Sequence, residues 1–521
     1  MHASAPLGGP CGRTGRASPT AIAGLLLVVA GRVLGGGHAD AARPDGELEI
    51  AVVEAGSGKP LAARVRLRNA RQRPVVRGLG VAGHGDHFYV DGAATLGLRR
   101  GQYTFDLDAG WGRRTRAGHF EIQRRAQDSK QIEVRTFADL AEEGWHAADL
   151  DCDRPLLHLG VVLQAEQVDY TPLVAWRSEA GGGWRRVSRV APRGATIPGG
   201  VAEHAARVAH AGGDLLLVSP SGPMDAAALP PHDRLSVADL REARERGLRI
   251  VACDPAAWRL PVWLAADVLD AVMVLGRDQR RAADHTSPGR PPDARLFPGR
   301  RGKGRWREAV YFHTLNAGLR LPAVAGSGSG DTPSPLGANR VYAACPDGFS
   351  IDDWWAAVDA GQTVVTNGPL LRPRVHGRPP GHVFRLDGQG AFAAPIALNL
   401  STRETIEYLD LIQDGRVVAS VGLRDWASAG GRLPELQFNR SGWFSVRAAT
   451  TASDRYQLAL SGPFYVEGPG GPQISRASCR FFLDWLAELP EPLAAASPEA
   501  EADVAAAIAF WEERLSRATA D

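Results

Sequence analysis

Lysine is nearly absent. The 521-residue chain holds three, Lys59, Lys130 and Lys303, and the other 57 of its 60 basic residues are arginine. With 60 glycines and 36 prolines, this reads as the coding bias of a GC-rich genome, so an arginine cluster carries little information by itself. An excess of one charge is also missing. Against 58 acidic residues the net charge is +2, which excludes an electrostatic nucleic-acid binder. Long hydrophobic runs are missing too. Ala21 to Gly31 is apolar over 11 residues, and a bilayer-spanning helix needs about 20. Cysteine is scarce, five in all, and no C-x-x-C pairs them, which excludes a zinc knuckle. The 14 histidines form no H-x-H or H-E-x-x-H, the spacings of a transition-metal site. There is no G-x-S-x-G, no P-loop and no G-x-G-x-x-G opening a helix.

What is present reads as a soluble, exported protein of about three domains. Hydrophobic residues make up 44% of the chain, enough for ordinary cores. Arg13 and Arg16, the apolar run and Ala39-Asp40-Ala41 form a secretory signal over residues 1–41. Four cysteines follow it, Cys152, Cys253, Cys345 and Cys479, an even count that permits disulfides in an oxidising compartment.

Residues 45–137 alternate with period two. Ala63, Val65 and Leu67 interleave with arginines, and Tyr103, Phe105 and Leu107 with polar residues. Half-buried strands separated by Gly-rich breaks predict a β-sandwich. From 138 to 380, apolar strands alternate with capped helices. Ser236 and Asp239 form a capping box, Ser350 caps another helix, and Gly247, Gly318 and Gly361 stand where helices stop. Strands are expected at Pro172–Trp176, Leu215–Val218, Leu248–Cys253, Leu269–Leu275, Pro322–Ala325 and Gln362–Thr366. Six to eight such units predict parallel pairing in a (β/α) barrel. Residues 383–521 return to strands, with an Asp414-Gly415 hairpin, and end in two amphipathic helices, Ser475–Leu489 and Glu499–Ala518.

In such a barrel, chemistry stands at the C-terminal ends of strands. The positions selected are Asp149 to Asp153, Ser219, Cys253-Asp254, Arg277-Asp278, Ser327 to Ser329 and Asn367. Asp151 and Asp153 are two apart, so their carboxylates point the same way on an extended chain and suit a hard cation. Gly326 to Gly330 presents amides able to hold an anion, with Ser327, Ser329, Arg340, Asn367 and Arg372 as candidate partners. His84 and His87 read as surface residues, and His313, on its helix, as a packing residue or one that supports a ligand without being one.

The segment Gly144-Trp145 through Asp149-Leu150-Asp151-Cys152-Asp153-Arg154-Pro155 resembles one in exported CehA/McbA-type proteins of the polymerase-and-histidinol-phosphatase (PHP) superfamily, in their planctomycete-like branch. Pro261-Val262-Trp263-Leu264-Ala265, His313 to Pro322, Gly326 to Gly330, Asn339-Arg340-Val341-Tyr342 and Thr366 to Pro373 resemble further stretches. The resemblance implies a carboxypeptidase-regulatory-like β-sandwich, a PHP-type distorted (β/α) barrel and metal-dependent hydrolysis of phosphoester or ester-like bonds. The expected ligands are altered, however. Asp151 and Asp153 stand where the family has histidines, Cys253 where it has a glutamate, and Asp278 where it has another histidine. Two expectations follow. Either the metal centre is degenerate, no cofactor is held, and the chain is a binding or scaffolding module for a small molecule, surface glycan or protein. Or Asp151, Asp153 and Asp278 hold Mg²⁺, Mn²⁺ or Ca²⁺ in preference to Zn²⁺, in a divergent hydrolase. Cys152 and Cys253 are expected near one another, as a disulfide or as soft ligands.

Overall fold

The computed structural model describes residues 44–521, apart from 77, 156, 180–182, 188–200, 231–234, 278–287, 387–390, 454 and 496. The signal segment at 1–41 and the expected ligand Asp278 lie outside the described residues. Among those residues, no helix is long and apolar enough to cross a membrane. The protein is strand-rich, with several sheets and helices at its C-terminal end.

The alternating segments of the first region become strands. Ala62–Asn69 pairs antiparallel with Gly101–Asp108, which places Val65 opposite Leu107 and Leu67 opposite Phe105. Their inward residues join Val52, Phe88, Leu96 and Val134 in one core. A sandwich predicts two sheets, but the eight strands here hydrogen-bond as one. The link between the two halves is narrow: His87–Asp91 meets Ala93–Leu98 at the single pair Asp91–Ala93, beyond which Gly46–Glu54 pairs antiparallel with Ala93–Leu98 and parallel with Gln127–Val134.

The central strands run in the order Trp184–Arg186, Thr171–Ser178, Val201–Val208, Leu215–Val218, Arg249–Ala252, Ala271–Leu275, Ala323–Ala325. Thr171–Ser178 is parallel to Val201–Val208, and Ala271–Leu275 is parallel to both Arg249–Ala252 and Ala323–Ala325. Leu215–Val218 is antiparallel to both neighbours, which corrects the expectation of parallel pairing throughout. Only residues 209–214 join it to the preceding strand. A parallel return needs a crossover of about a dozen residues or more.

Local signals account for the helices between these strands. The Ser236–Asp239 box opens Val237–Glu245, with Ser236 Oγ accepting the Asp239 amide and Asp239 accepting the Ser236 amide. Gly247, at φ +85°, then turns the chain out of the helix. Ser350 Oγ likewise accepts the Asp353 amide at the start of Ile351–Asp359.

A nine-stranded sheet crosses the boundary expected near 380. Arg340–Ala344 pairs with Trp145–Ala148 and with Thr363–Thr366, which continues into Leu458–Ser461. The Asp414-Gly415 hairpin is present, both residues at positive φ (48° and 78°), as a tight turn of this kind requires. The two long terminal helices, Arg476–Ala487 and Pro498–Ser516, pack back onto the central region. Trp485 Nε1 donates to the Trp258 carbonyl at 3.1 Å, and Trp511 Nε1 to the Pro261 carbonyl at 3.0 Å.

Candidate functional site

The site grows from the segment after Trp145–Ala148. Here the chain leaves the nine-stranded sheet and runs extended between the two flanks of the central strands. The Leu150 amide donates to the Ala325 carbonyl at 3.1 Å, and Cys152 bridges to Leu173 on one side and Ser329 on the other. Asp149 and Asp151 are buried and Asp153 is half-buried, with side chains at alternate positions. Cys152 turns the other way, into an apolar cluster with Leu159, Val162 and Leu173.

Three guanidiniums converge on these carboxylates. Arg277, just past the Ala271–Leu275 strand, grips Asp151 with two nitrogens, Nη2 lying 2.7 Å from Oδ1 and Nε bonding Oδ2. The same Nη2 reaches Asp153 Oδ2 at 3.0 Å, while Nη1 bonds Asp331. Arg207 bridges Asp151 Oδ2 and Asp214 Oδ2, each at 2.9 Å. Arg177 bridges Asp153 Oδ2 at 2.6 Å and Asp331 Oδ2 at 3.0 Å. Arg154 flanks the group, with Nε on Ser329 Oγ at 2.7 Å and Nη2 3.2 Å from His87 Nε2. The cluster opens outward. Asp151 is 1% exposed, whereas Asp331 is 38% exposed and forms the rim with Arg177.

Burial opposes every charge here, and the neighbours decide the result. For Asp151, burial would raise the carboxyl, but the charges of Arg207 and Arg277 overcome it and hold the group well below the usual carboxylate range. Asp153 goes the other way, raised by burial and by the charge of Asp151 against Arg177 and Arg277. Its Oδ1 is buried and has no donor among the described residues.

Asp151 and Asp153, as paired here, do not fit a resident divalent cation, and Asp278, the third expected ligand, lies outside the described residues. Hard cations bind through free carboxylate lone pairs. Both oxygens of Asp151 and Oδ2 of Asp153 already accept guanidinium bonds. A metal would have to displace a tethered, permanently charged arginine. Asp151 and Asp153 are thus brought together as the spacing predicts, but as acceptors for arginine. Among the described residues, no group of three or more His, Cys, Asp or Glu is arranged to hold a metal.

Other expectations are corrected. Cys152 and Cys253 are free thiols, as are Cys345 and Cys479. Burial pushes both Cys152 and Cys253 up to about 12, so both thiols stay protonated near neutral pH. The five proposed anion binders do not form one site. Ser327 Oγ exchanges bonds with the Asn339 backbone, and Asn367 bonds the Tyr456 and Leu458 backbone. Arg372 pairs with Glu143 and Ser401, and Arg340 bonds carbonyls of Glu166, Gln167 and Gly337 beneath the Trp111 ring. Ser329 alone reaches the cluster, through Arg154.

One amide of the Gly326–Gly330 loop, that of Ser327, bonds the chain's own Asp149 carboxyl, and Gly337 supplies a second from outside the loop. The Ser327 amide donates to Oδ1 at 2.9 Å and the Gly337 amide to Oδ2 at 2.7 Å. Because its strand is reversed, Ser219 follows the end of it that lies away from Arg207, and Asp214, at the other end, takes part instead. His87 is fully buried, held neutral by burial and the charge of Arg64, and is not a surface residue. His84 contacts the Thr332 carbonyl at 2.8 Å. His313 is the packing residue expected, stacked on Phe481 at 4.0 Å.

Sequence reasoning missed Arg177, Arg207 and Arg277 as a set. The available signal was an arginine at or just past the end of three separate strands. No protein-family model matches the chain, and no curated protein or solved structure does so either.

Proposed function

We propose that the chain is an exported protein with a PHP-type distorted barrel, in which three guanidiniums take the place of metal cations, and that it works as a non-catalytic binding or scaffolding module. The barrel reading is supported by the 149–152 segment, which hydrogen-bonds to both the Thr171–Ser178 and the Ala323–Ala325 flanks of the central sheet. The functional reading is carried by Arg277, whose guanidinium bonds Asp151, Asp153 and Asp331 at once. A guanidinium supplies positive charge but no open coordination position. It therefore neutralises the carboxylates without activating a water as a bound metal ion does. The exposed Arg177–Asp331 rim offers paired donors and acceptors to a polar small molecule, a surface glycan or a protein.

Elemental analysis of the purified protein tests this, with calorimetric titrations of Mg²⁺, Mn²⁺ and Zn²⁺ and a phosphoester and carboxylester screen. The expected result is no stoichiometric metal and no turnover. Stoichiometric metal that disappears in an Asp151→Ala, Asp153→Ala double variant, together with turnover, would establish the carboxylate-ligand hydrolase instead.

A further inference from the structure

The Gly302–Asn316 helix faces the hairpin of Ile406–Gln413 and Arg416–Val421 across a cavity of about 430 Å³. That size lies within the range of about 300–1,000 Å³ usual for small-molecule sites. Three charged side chains in its wall are more than nine-tenths buried, Glu308 at 2%, Asp410 at 3% and Arg447 at 9% exposure. Arg447 joins the two acids, with Nη1 2.8 Å from Glu308 Oε2 and Nη2 2.6 Å from Asp410 Oδ2. Tyr456 donates its hydroxyl to Glu308 Oε2 at 2.7 Å. Glu308 Oε1 is buried with no donor among the described residues, and such a group in a native structure calls for a partner.

The lining sorts ligands by charge. Two carboxylates, Glu308 and Asp410, face two guanidiniums, Arg447 and Arg305. Burial and the charge of Arg290 push His313 down to about 4, so it is neutral near pH 7. A cationic ligand meets the arginines, an anionic one meets the acids, and a neutral one meets both donors and acceptors. Phe312 and Tyr408 add apolar ring surface to the same wall. Hydroxyl groups suit a wall that offers both carboxylates and guanidiniums, while a C–H face suits the rings.

We propose that this cavity binds a small neutral polyhydroxylated ligand, a mono- or disaccharide. The Glu308–Arg447–Asp410 bridge also ties the helix to the C-terminal sheet, so the test must separate binding from folding. Ser420 lines the cavity from an exposed position on the hairpin, where Ser420→Trp blocks the space without altering the core. The full chain would be titrated calorimetrically with glucose, galactose, N-acetylglucosamine, maltose and cellobiose. Spermidine and citrate serve as charged probes, and intrinsic tryptophan fluorescence, to which Trp443 packed on Phe312 at 5.4 Å contributes, is an independent readout.

At least one sugar should bind saturably. Its affinity should fall at least tenfold in Glu308→Gln, and binding should vanish in Ser420→Trp with the melting temperature of the parent. Three results would each overturn the proposal: no saturable binding of any of the five sugars, binding of spermidine or citrate in their place, or unchanged sugar binding by Ser420→Trp.

Discussion

Asp149 and Asp151 stand two residues apart on one extended segment, both shut off from solvent, and two different pockets hold them. The Asp149 pocket is lined by backbone amides, those of Ser327, Gly337 and Asp151. The Asp151 pocket is lined by the guanidiniums of Arg207 and Arg277. The outcomes are opposite. Burial pushes the Asp149 carboxyl up to about 6 in spite of its amide bonds, whereas Asp151 is held well below the usual range. A neutral hydrogen bond contributes about 1 kcal/mol net, and a full charge at 4 Å about 4 kcal/mol at the effective dielectric of a protein. Dipoles orient Asp149 without offsetting its burial. Charges offset the burial of Asp151 and more. The segment thus carries a carboxyl that titrates easily beside one that stays ionised.

Removing the acid from the charged pocket should have the largest effect. Asp151→Ala leaves Arg207 and Arg277 facing each other with their shared partner gone. Breaking a buried ion pair on one side costs about 3–5 kcal/mol, to be measured by denaturant unfolding of the full chain. A loss of less than about 1 kcal/mol would mean that the guanidiniums relax to solvent and that the pocket is not tightly built.

Removing a cation from the same pocket should cost less and reveal more. Arg277→Met takes away the group shared by Asp151, Asp153 and Asp331 but leaves Arg207 on Asp151 and Arg177 on Asp153. A loss of about 3 kcal/mol is expected, since all three acids keep a partner, Arg177 holding Asp331 as well as Asp153. The freed carboxylates should then accept a hard cation. Millimolar Mn²⁺ or Ca²⁺ should raise the melting temperature of the variant and leave the parent unmoved. Equal responses in the two would break the equivalence between guanidinium and metal.

Much of this contrast was legible before the structure, and its centre was not. The capping serines, the Asp414-Gly415 turn and the glycine stops are short-range signals, fixed by a few residues of backbone geometry, and the structure has them where the sequence puts them. The shared direction of Asp151 and Asp153 followed from period-two alternation, and both do reach Arg277. The identity of the cation was hidden. Arg177, Arg207 and Arg277 come from three strands separated by 30 and 70 residues, and in a chain with 57 arginines none stands out. The reversal of Leu215–Val218 was hidden too, because apolar alternation reports burial and not direction. That reversal decides whether Ser219 or Asp214 faces the site.

The smallest effect expected is a pH profile, and it bears most directly on the two carboxyls. The Asp149 carboxyl is raised in the folded chain from 3.8 to about 6. The folded state therefore binds the proton more tightly than the unfolded state, and the associated stability is fully present below pH 3.8 and lost as the pH rises through about 6. Asp151 is depressed, so its contribution is present above its unfolded value and lost as the pH falls toward its folded one. Between pH 4.5 and 6.5, roughly, Asp149 alone of the two titrates, and it should make stability fall by on the order of 2 kcal/mol. Asp149→Asn removes the titrating group and keeps one oxygen for the amides. Unfolding free energies of parent and variant, measured across that window, should separate in the variant's favour as the pH rises, because only the parent carries the Asp149 titration. Parallel profiles would mean that the amide pocket stabilises the ionised Asp149 after all, and that dipoles can do what the guanidiniums do for Asp151.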